Sequence, residues 1–297
     1  MKNYLRHSLL LLSIAFSNTS QAQSDPVWVN GINYELNEET KTASVTYGGD
    51  YVGDIVIPSS VNGYSVTSIG DHAFTGCDGL ISVTIPSSVT SIGERPFGDC
   101  VALTSVTLPN SVISIGAFAF NGCTALTSLT LPNTITSLER NLFMGCTLLT
   151  SIEIPDAVTS IGPAAFSGCS ALTSITLPEA VTSIGRWAFE GCSALTTVVC
   201  EAVSLPTCDE NVFALVPTES ATLYVPAVSV GAYSSTEPWN SFGSILAIND
   251  IGTKIQGVAC KTNNGASTSS LYNIGGQRIS KPGRGIFIKN GNVFIAK

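Results

Sequence analysis

Cysteine and histidine carry the strongest chemistry available to this 297-residue chain, which has nine of the first and two of the second. Six of the cysteines, Cys77, Cys100, Cys123, Cys146, Cys169 and Cys192, recur at a fixed interval of 23 residues. A zinc site needs Cys or His ligands that converge on one point, whereas a column with this period spreads them along an axis. Neighbouring strands lie about 4.8 Å apart, within the Cα separation of about 4.4–6.8 Å that a disulfide spans. Pairing along the column therefore stays open beside the simpler reading, small apolar thiols that face a core. Cys200 falls in an inward slot, and Cys208 and Cys260 fall in loops, with a Cys200–Cys208 bridge as an alternative.

Other catalytic constellations are weaker still. Outside the first 22 residues the one histidine is His72, at a position that varies from repeat to repeat, which suits a solvated residue better than a base. Gly275-Gly276 reads as a hairpin turn and not as a phosphate loop. Acidic residues are scattered, and Glu153 is the one acid in its outward strand column, so the paired carboxylates of a glycosidase cannot be placed. The expectation is a protein without catalysis, metal or cofactor.

What positions these residues is a repeat. Copies of L-T-S-V-T-L-P-N-S-V-I-S-I-G-A-F-A-F-N-G-C-T-A, residues 103 to 125, begin at Leu80, Leu103, Leu126, Leu149, Leu172 and Leu195. They align Pro86, Pro109, Pro132, Pro155 and Pro178 in one column and Phe97, Phe120, Phe143, Phe166 and Phe189 in another. A period of 20 to 50 residues means that each unit completes its core against its neighbours. Alternation in Leu103–Leu108 predicts a strand with Leu103, Val106 and Leu108 inward and Ser105 and Thr107 outward. Proline, which lacks an N–H, ends that strand. A second extended piece places Val112 and Ile115 inward, and one helical or 3₁₀ turn is expected to bring Phe120 into the interior. Six or seven such rungs at about 4.8 Å each make a sheet roughly 30 Å long.

The ends of the chain read differently. Residues 1–22 have the form of a cleaved secretory signal, with Lys2 and Arg6 ahead of an apolar run and small residues at Ser20 and Ala22. Residues 23–50 predict a capping hairpin that turns at Asn37–Thr40, residues 51–217 the repeats, and residues 218–248 a C-terminal cap with Tyr233, Trp239 and Phe242 over the last rung. Residues 249–269 read as a linker, and residues 270–297 as a small sheet with turns at Gly275-Gly276 and Asn290-Gly291. Without the leader, eleven basic and twenty-one acidic side chains leave a net charge of −10. That balance gives no electrostatic basis for nucleic acid or anionic lipid as a partner, and no membrane insertion is expected once the leader is removed.

The phased motif L-T-S-V/I-T-L/I-P-x-x-V-T-S-I-G-x-x-A-F-x-G-C resembles the BspA-like leucine-rich repeat family of bacterial surface proteins. The resemblance implies a strand-dominated α/β fold, a right-handed leucine-rich repeat solenoid displayed outside the cell and associated with adhesion. Residues 270–297 also resemble the end of the sorting domains of type IX secretion, although the opening Tyr-Pro-Asn-Pro of those domains is absent. An exported, adhesin-like protein that binds a protein or glycan ligand follows, with a structural spacer as the alternative. The candidate contacts lie where the repeat stops repeating, at the two positions before each A-F pair: Arg95, Phe118, Arg140, Arg186 and Trp187. Arginine and large aromatics are the side chains that dominate binding energy in interfaces.

Overall fold

The structure, a computed structural model, describes residues 26–248 in full and the backbone of four further strands between Leu271 and Ala296. The leader (1–22), the linker (249–269), Cys260 and the turns at 275–276 and 290–291 lie outside the described residues.

The repeats build a strand-dominated solenoid of about nine turns. Each rung is named here by its phenylalanine, from Phe74 in the first through Phe97, Phe120, Phe143, Phe166 and Phe189 to Phe213 in the seventh. Two parallel ladders form two of its sides. The L-T-S-V-T-L segments supply the front ladder, in which Gly53–Val56, Leu80–Thr84 and Ser105–Thr107 pair in one stretch. Ser174–Leu177, Thr197–Cys200, Thr222–Val225 and Ser244–Ala247 pair in another, with a single bridge, Thr130 to Glu153, between the two stretches. The S-I-G segments supply the rear ladder, also in two stretches, one ending at Ser114–Ile115 and the other beginning at Ser137–Leu138.

Turns form the third side. The expected helical or 3₁₀ turn is absent from the repeats, and successive hydrogen-bonded turns take its place. The reason is a left-handed residue just before the A-F pair: His72, Arg95, Phe118, Asn141, Ala164, Trp187 and Asn211 all have φ between 53° and 60°. A second left-handed position follows at Gly76, Asp99, Gly122, Gly145, Gly168 and Gly191. Alternating the hand of the backbone prevents a helix and points every second N–H along the solenoid axis. Three N–H groups per junction then bond to the next rung, as from Phe118 to Arg140 O (3.0 Å), Phe120 to Leu142 O (3.0 Å) and Gly122 to Met144 O (2.7 Å).

The interior is one continuous apolar stripe. From Phe74 to Phe213 the rings stack with centroids 5.4–5.5 Å apart and planes within 14° of parallel. Each fully buried ring adds roughly 1.5–3 kcal/mol of burial, and the offset contacts add to it. Tyr51 continues the stack at the N-terminal end, while Trp239 and Phe242 close it edge-on at Phe213.

Short elements cover both ends of this stripe. The expected hairpin is a three-strand antiparallel meander, Val27–Val29, Ile32–Asn37 and Thr42–Val45. Asn30 and Gly31 make the extra turn at φ 51° and 79°, the left-handed pair that Asn-Gly favours in two-residue hairpins. At the other end a short helix, Val230–Ser235, carries the buried Tyr233, whose hydroxyl donates to Ala202 O at 2.9 Å. The last four strands, Leu271–Asn273, Arg278–Ile279, Gly285–Lys289 and Asn292–Ala296, form an antiparallel sheet of their own.

Candidate functional site

The cysteine column proves to be a structural device. All eight described cysteines are free thiols, so neither pairing along the column nor a Cys200–Cys208 bridge is realised. In five successive rungs the thiol donates to the phenylalanine carbonyl of the rung before, from Cys100 to Phe74 O at 3.0 Å through Cys192 to Phe166 O at 3.2 Å. That carbonyl also receives the N–H of the cysteine in its own rung, as from Cys77 to Phe74 O. A weak S–H donor is what this slot requires, small and mostly apolar, yet able to satisfy a buried acceptor. Burial pushes the thiols of Cys100, Cys146 and Cys192 up to about 12, which keeps them protonated and unreactive.

Among the described residues no three His, Cys, Asp or Glu side chains converge as metal ligands. None of the described helices is long and apolar enough to cross a membrane. His72 is exposed on the turn side, its ring 3.4 Å from the Thr75 hydroxyl.

The predicted contact residues lie along the turn side, on a ridge parallel to the axis. Their backbone is uniform: Arg95, Phe118 and Trp187 each occupy the left-handed position of their rung, and Arg140 and Arg186 each occupy the position before it. Left-handed backbone costs a residue other than glycine roughly 1–2 kcal/mol, and for bulky side chains it is a true outlier. The ridge therefore displays a phenylalanine and a tryptophan where the backbone would favour glycine or asparagine.

Side-chain contacts gather these residues into two groups. In the first, the Arg140 guanidinium covers the Phe118 ring at 5.3 Å and reaches Glu94 at 3.5 Å, so one side chain spans the second to the fourth rungs. In the second, Arg186 covers Trp187 in the same rung at 4.6 Å. Both lie within the range of about 6 Å for cation–π attraction. Arg95 turns away from both groups to an ion pair with Asp99 in its own rung. Phe118 and Arg95 are half-buried, whereas Arg140 and Arg186 are exposed. Trp187 remains 37% exposed. Between the two groups the fifth rung carries Pro163 and the buried Ala164, so the ridge is low there.

Sequence reasoning missed a further set of groups, the threonines that open each strand. The N–H and the hydroxyl of Thr159 both donate to Thr136 O, at 2.9 and 3.2 Å. Thr182, Thr196 and Thr104 do the same one rung away from their own partners. Their recurrence every 23 residues was the signal. These hydroxyls are tethers, and they differ from the outward Ser105 and Thr107 type of position.

The BspA-type leucine-rich repeat region matches this chain in six copies, over residues 46–170 and 136–235. The chain belongs to the BspA-type leucine-rich repeat family. Among solved structures it is similar to a leucine-rich cell surface protein from Faecalibacterium prausnitzii A2-165, with 26% identity over 75% of this chain and 73% of that one and a TM-score of 0.50. It is similar also to a leucine-rich repeat protein from Eubacterium ventriosum ATCC 27560, with 29% identity over 65% of this chain but only 50% of that one, and a TM-score of 0.54. No curated protein matches it. BspA-type repeats thus account for the periodic core, and the ridge is where this member departs from its own consensus.

Proposed function

We propose that this protein is exported, loses residues 1–22, and acts at the outer cell surface as an adhesin-like binding protein without catalysis. The F. prausnitzii relative described as a cell surface protein supports the location, and the form of the leader supports the route. The tail, residues 270–297, is proposed to serve as the sorting signal. The ligand is a protein or glycan held on the turn-side ridge by Phe118, Arg140, Arg186 and Trp187, with Arg95 at its N-terminal edge.

One observation carries this reading: two arginine-covered aromatic rings stand on left-handed positions, where they cost stability and add nothing to the core. Backbone strain retained at a surface site is characteristic of function. The pairs lie three rungs apart, about 15 Å, a span suited to an interface of about 800 Å² per partner.

The test replaces Phe118 and Trp187 by glycine, which relieves the backbone while removing both rings. The variant is expected to melt no lower than the wild type and to lose adhesion to immobilised matrix proteins and glycans by tenfold or more. Undiminished adhesion by a folded variant refutes the ridge as the binding site.

A further inference from the structure

The outward column of the front ladder changes character along the chain. It reads Thr84 and Thr107 in the first stretch, then Thr130 and Glu153 at the bridge, and then Thr176, Val199, Tyr224 and Leu246, each paired with the next. Thr84 and Thr107 are exposed, although Thr84 has a paired strand on either side. Val199 and Tyr224 also have strands on both sides, yet they are only 2% and 9% exposed. They do not belong to the interior cluster, which takes Val198, Cys200, Leu223 and Val225 from the same strands. Flanking strands leave a threonine of this column open, so the burial of Val199 and Tyr224 comes from outside the solenoid.

We infer that this outward face, centred on Val199, Tyr224 and Leu246, is the docking surface for the chain's own C-terminal sheet, residues 271–296. Four independent features agree. The apolar part of the column lies at the end where the chain leaves the solenoid. The 23 residues between Ala247 and Leu271 are enough chain to reach at most about 75 Å, and Val199 is only two strands, about 10 Å, from Ser244–Ala247.

The C-terminal sheet needs a cover. Its register pairs Ile286 with Ile295 and Ile288 with Val293 in one alternating set, and Phe287 with Phe294 in the other. The first set is wholly apolar, while the second adds the polar pair Lys289–Asn292 beside its phenylalanines, and a sheet with such an apolar face is stable only when that face is buried against another element.

Charge selects the same partners. Residues 270–297 contain five basic side chains, Arg278, Lys281, Arg284, Lys289 and Lys297, and no acidic one. Residues 26–248 contain nineteen acidic and four basic side chains. Of the acidic ones, Glu153 stands in the outward column itself, while Glu179 and Glu201 come within two residues of the ends of their strands. The ridge lies on a different side of the solenoid, so docking leaves it free.

Limited trypsin digestion tests the assignment on the chain from residue 23 onward, with Lys254→Gln and Lys261→Gln to keep the tail tethered. The comparison is with the same protein carrying Val199→Thr and Tyr224→Thr, the residue type that the column holds in earlier rungs. Docking predicts that cleavage after Arg278, Arg284 and Lys289 is at least tenfold faster in the threonine variant, while cleavage at Arg95, Arg140 and Arg186 is unchanged. Equal tail cleavage in both proteins, each with a cooperative melt, overturns the proposal. Protection that disappears on dilution also overturns it, because the tail would then belong to a second copy.

Discussion

Replacing Glu139 with glycine should close a break that runs through both strand ladders. In the S-I-G segments the glycine N–H bonds one rung back, from Gly93 to Ile69 O (2.9 Å), Gly116 to Ile92 O (2.9 Å), Gly162 to Leu138 O (2.7 Å) and Gly185 to Ile161 O (2.8 Å). None of these glycines has positive φ; what they provide is room. A Cβ on Gly116 would overlap the Gly93 carbonyl, and one on Gly162 would stand 2.6 Å from Arg140 N. In the fourth rung this position is Glu139, and no bond joins its N–H to Ile115 O. The rear ladder stops there, and the corresponding bond from Thr127 to Thr104 O is missing from the front ladder. The turn side stays continuous between Phe120 and Phe143, where Arg140 clasps it through Phe118 and Glu94, and the Thr134 hydroxyl adds a bond to Val112 O. Removing the Cβ should let at least the bonds at residues 139, 136 and 127 form. Three bonds at about 1 kcal/mol each, less about 1 kcal/mol for glycine entropy, give a gain of about 2 kcal/mol. For a body of this size that raises Tm by roughly 4–8 °C. Hydrogen exchange on peptides covering residues 125–129 and 134–141 should slow at the same time. If those amides exchange as fast as before and Tm drops by the glycine cost alone, the steric explanation of the break is wrong.

Three further outcomes follow from other sites. The buried thiols have raised values in the folded state, so they stabilise it fully below their unfolded value near 9 and lose that contribution as pH rises towards about 12; Tm should fall steeply across that window, by up to about 1.4 kcal/mol per pH unit for each thiol, and a thiol reagent at pH 8 should leave the column unlabelled until the protein is unfolded. Tyr34 is fully buried and its hydroxyl has no hydrogen-bond partner, so Tyr34→Phe should raise stability by about 1 kcal/mol in urea titration, whereas a loss would mean that the hydroxyl is satisfied. Ile113 occupies a threonine slot of the rear ladder and is 65% exposed, with its N–H already on Thr90 O at 2.9 Å; Ile113→Thr should add the missing hydroxyl tether and about 0.5–1 kcal/mol, measured by the same titration.

Legibility differed by residue class for physical reasons. Leucine, valine and phenylalanine columns were readable because burial acts on side-chain type, and every rung must match the next. Cys100 and its equivalents were readable as core, but their donor role was not, since it depends on a carbonyl 26 residues earlier that no local pattern reveals. The turn at Asn30-Gly31 carries the strongest two-residue hairpin signal in the sequence, and the longer polar stretch Asn37–Thr40 masks it. Breaks between rungs were harder: Glu139 stands out as a missing glycine, but only the geometry shows that the glycine column serves close approach and not positive φ.

The ridge inverts this relation between sequence and backbone. Arg95, Phe118, Asn141, Ala164 and Trp187 share no chemistry, so their positions read as unconstrained, yet their φ angles agree within 6°. The constraint acts on the N–H, which must point to the next rung, as Phe118 does to Arg140 O and Trp187 to Glu210 O. A position whose backbone is fixed and whose side chain is free would relax towards glycine or asparagine if stability alone decided it. Asn141 and Asn211 match that expectation. Phe118 and Trp187 do not, and each has an arginine laid across its ring, so the two rungs that depart furthest from the backbone's preference are the ones that carry the proposed contacts.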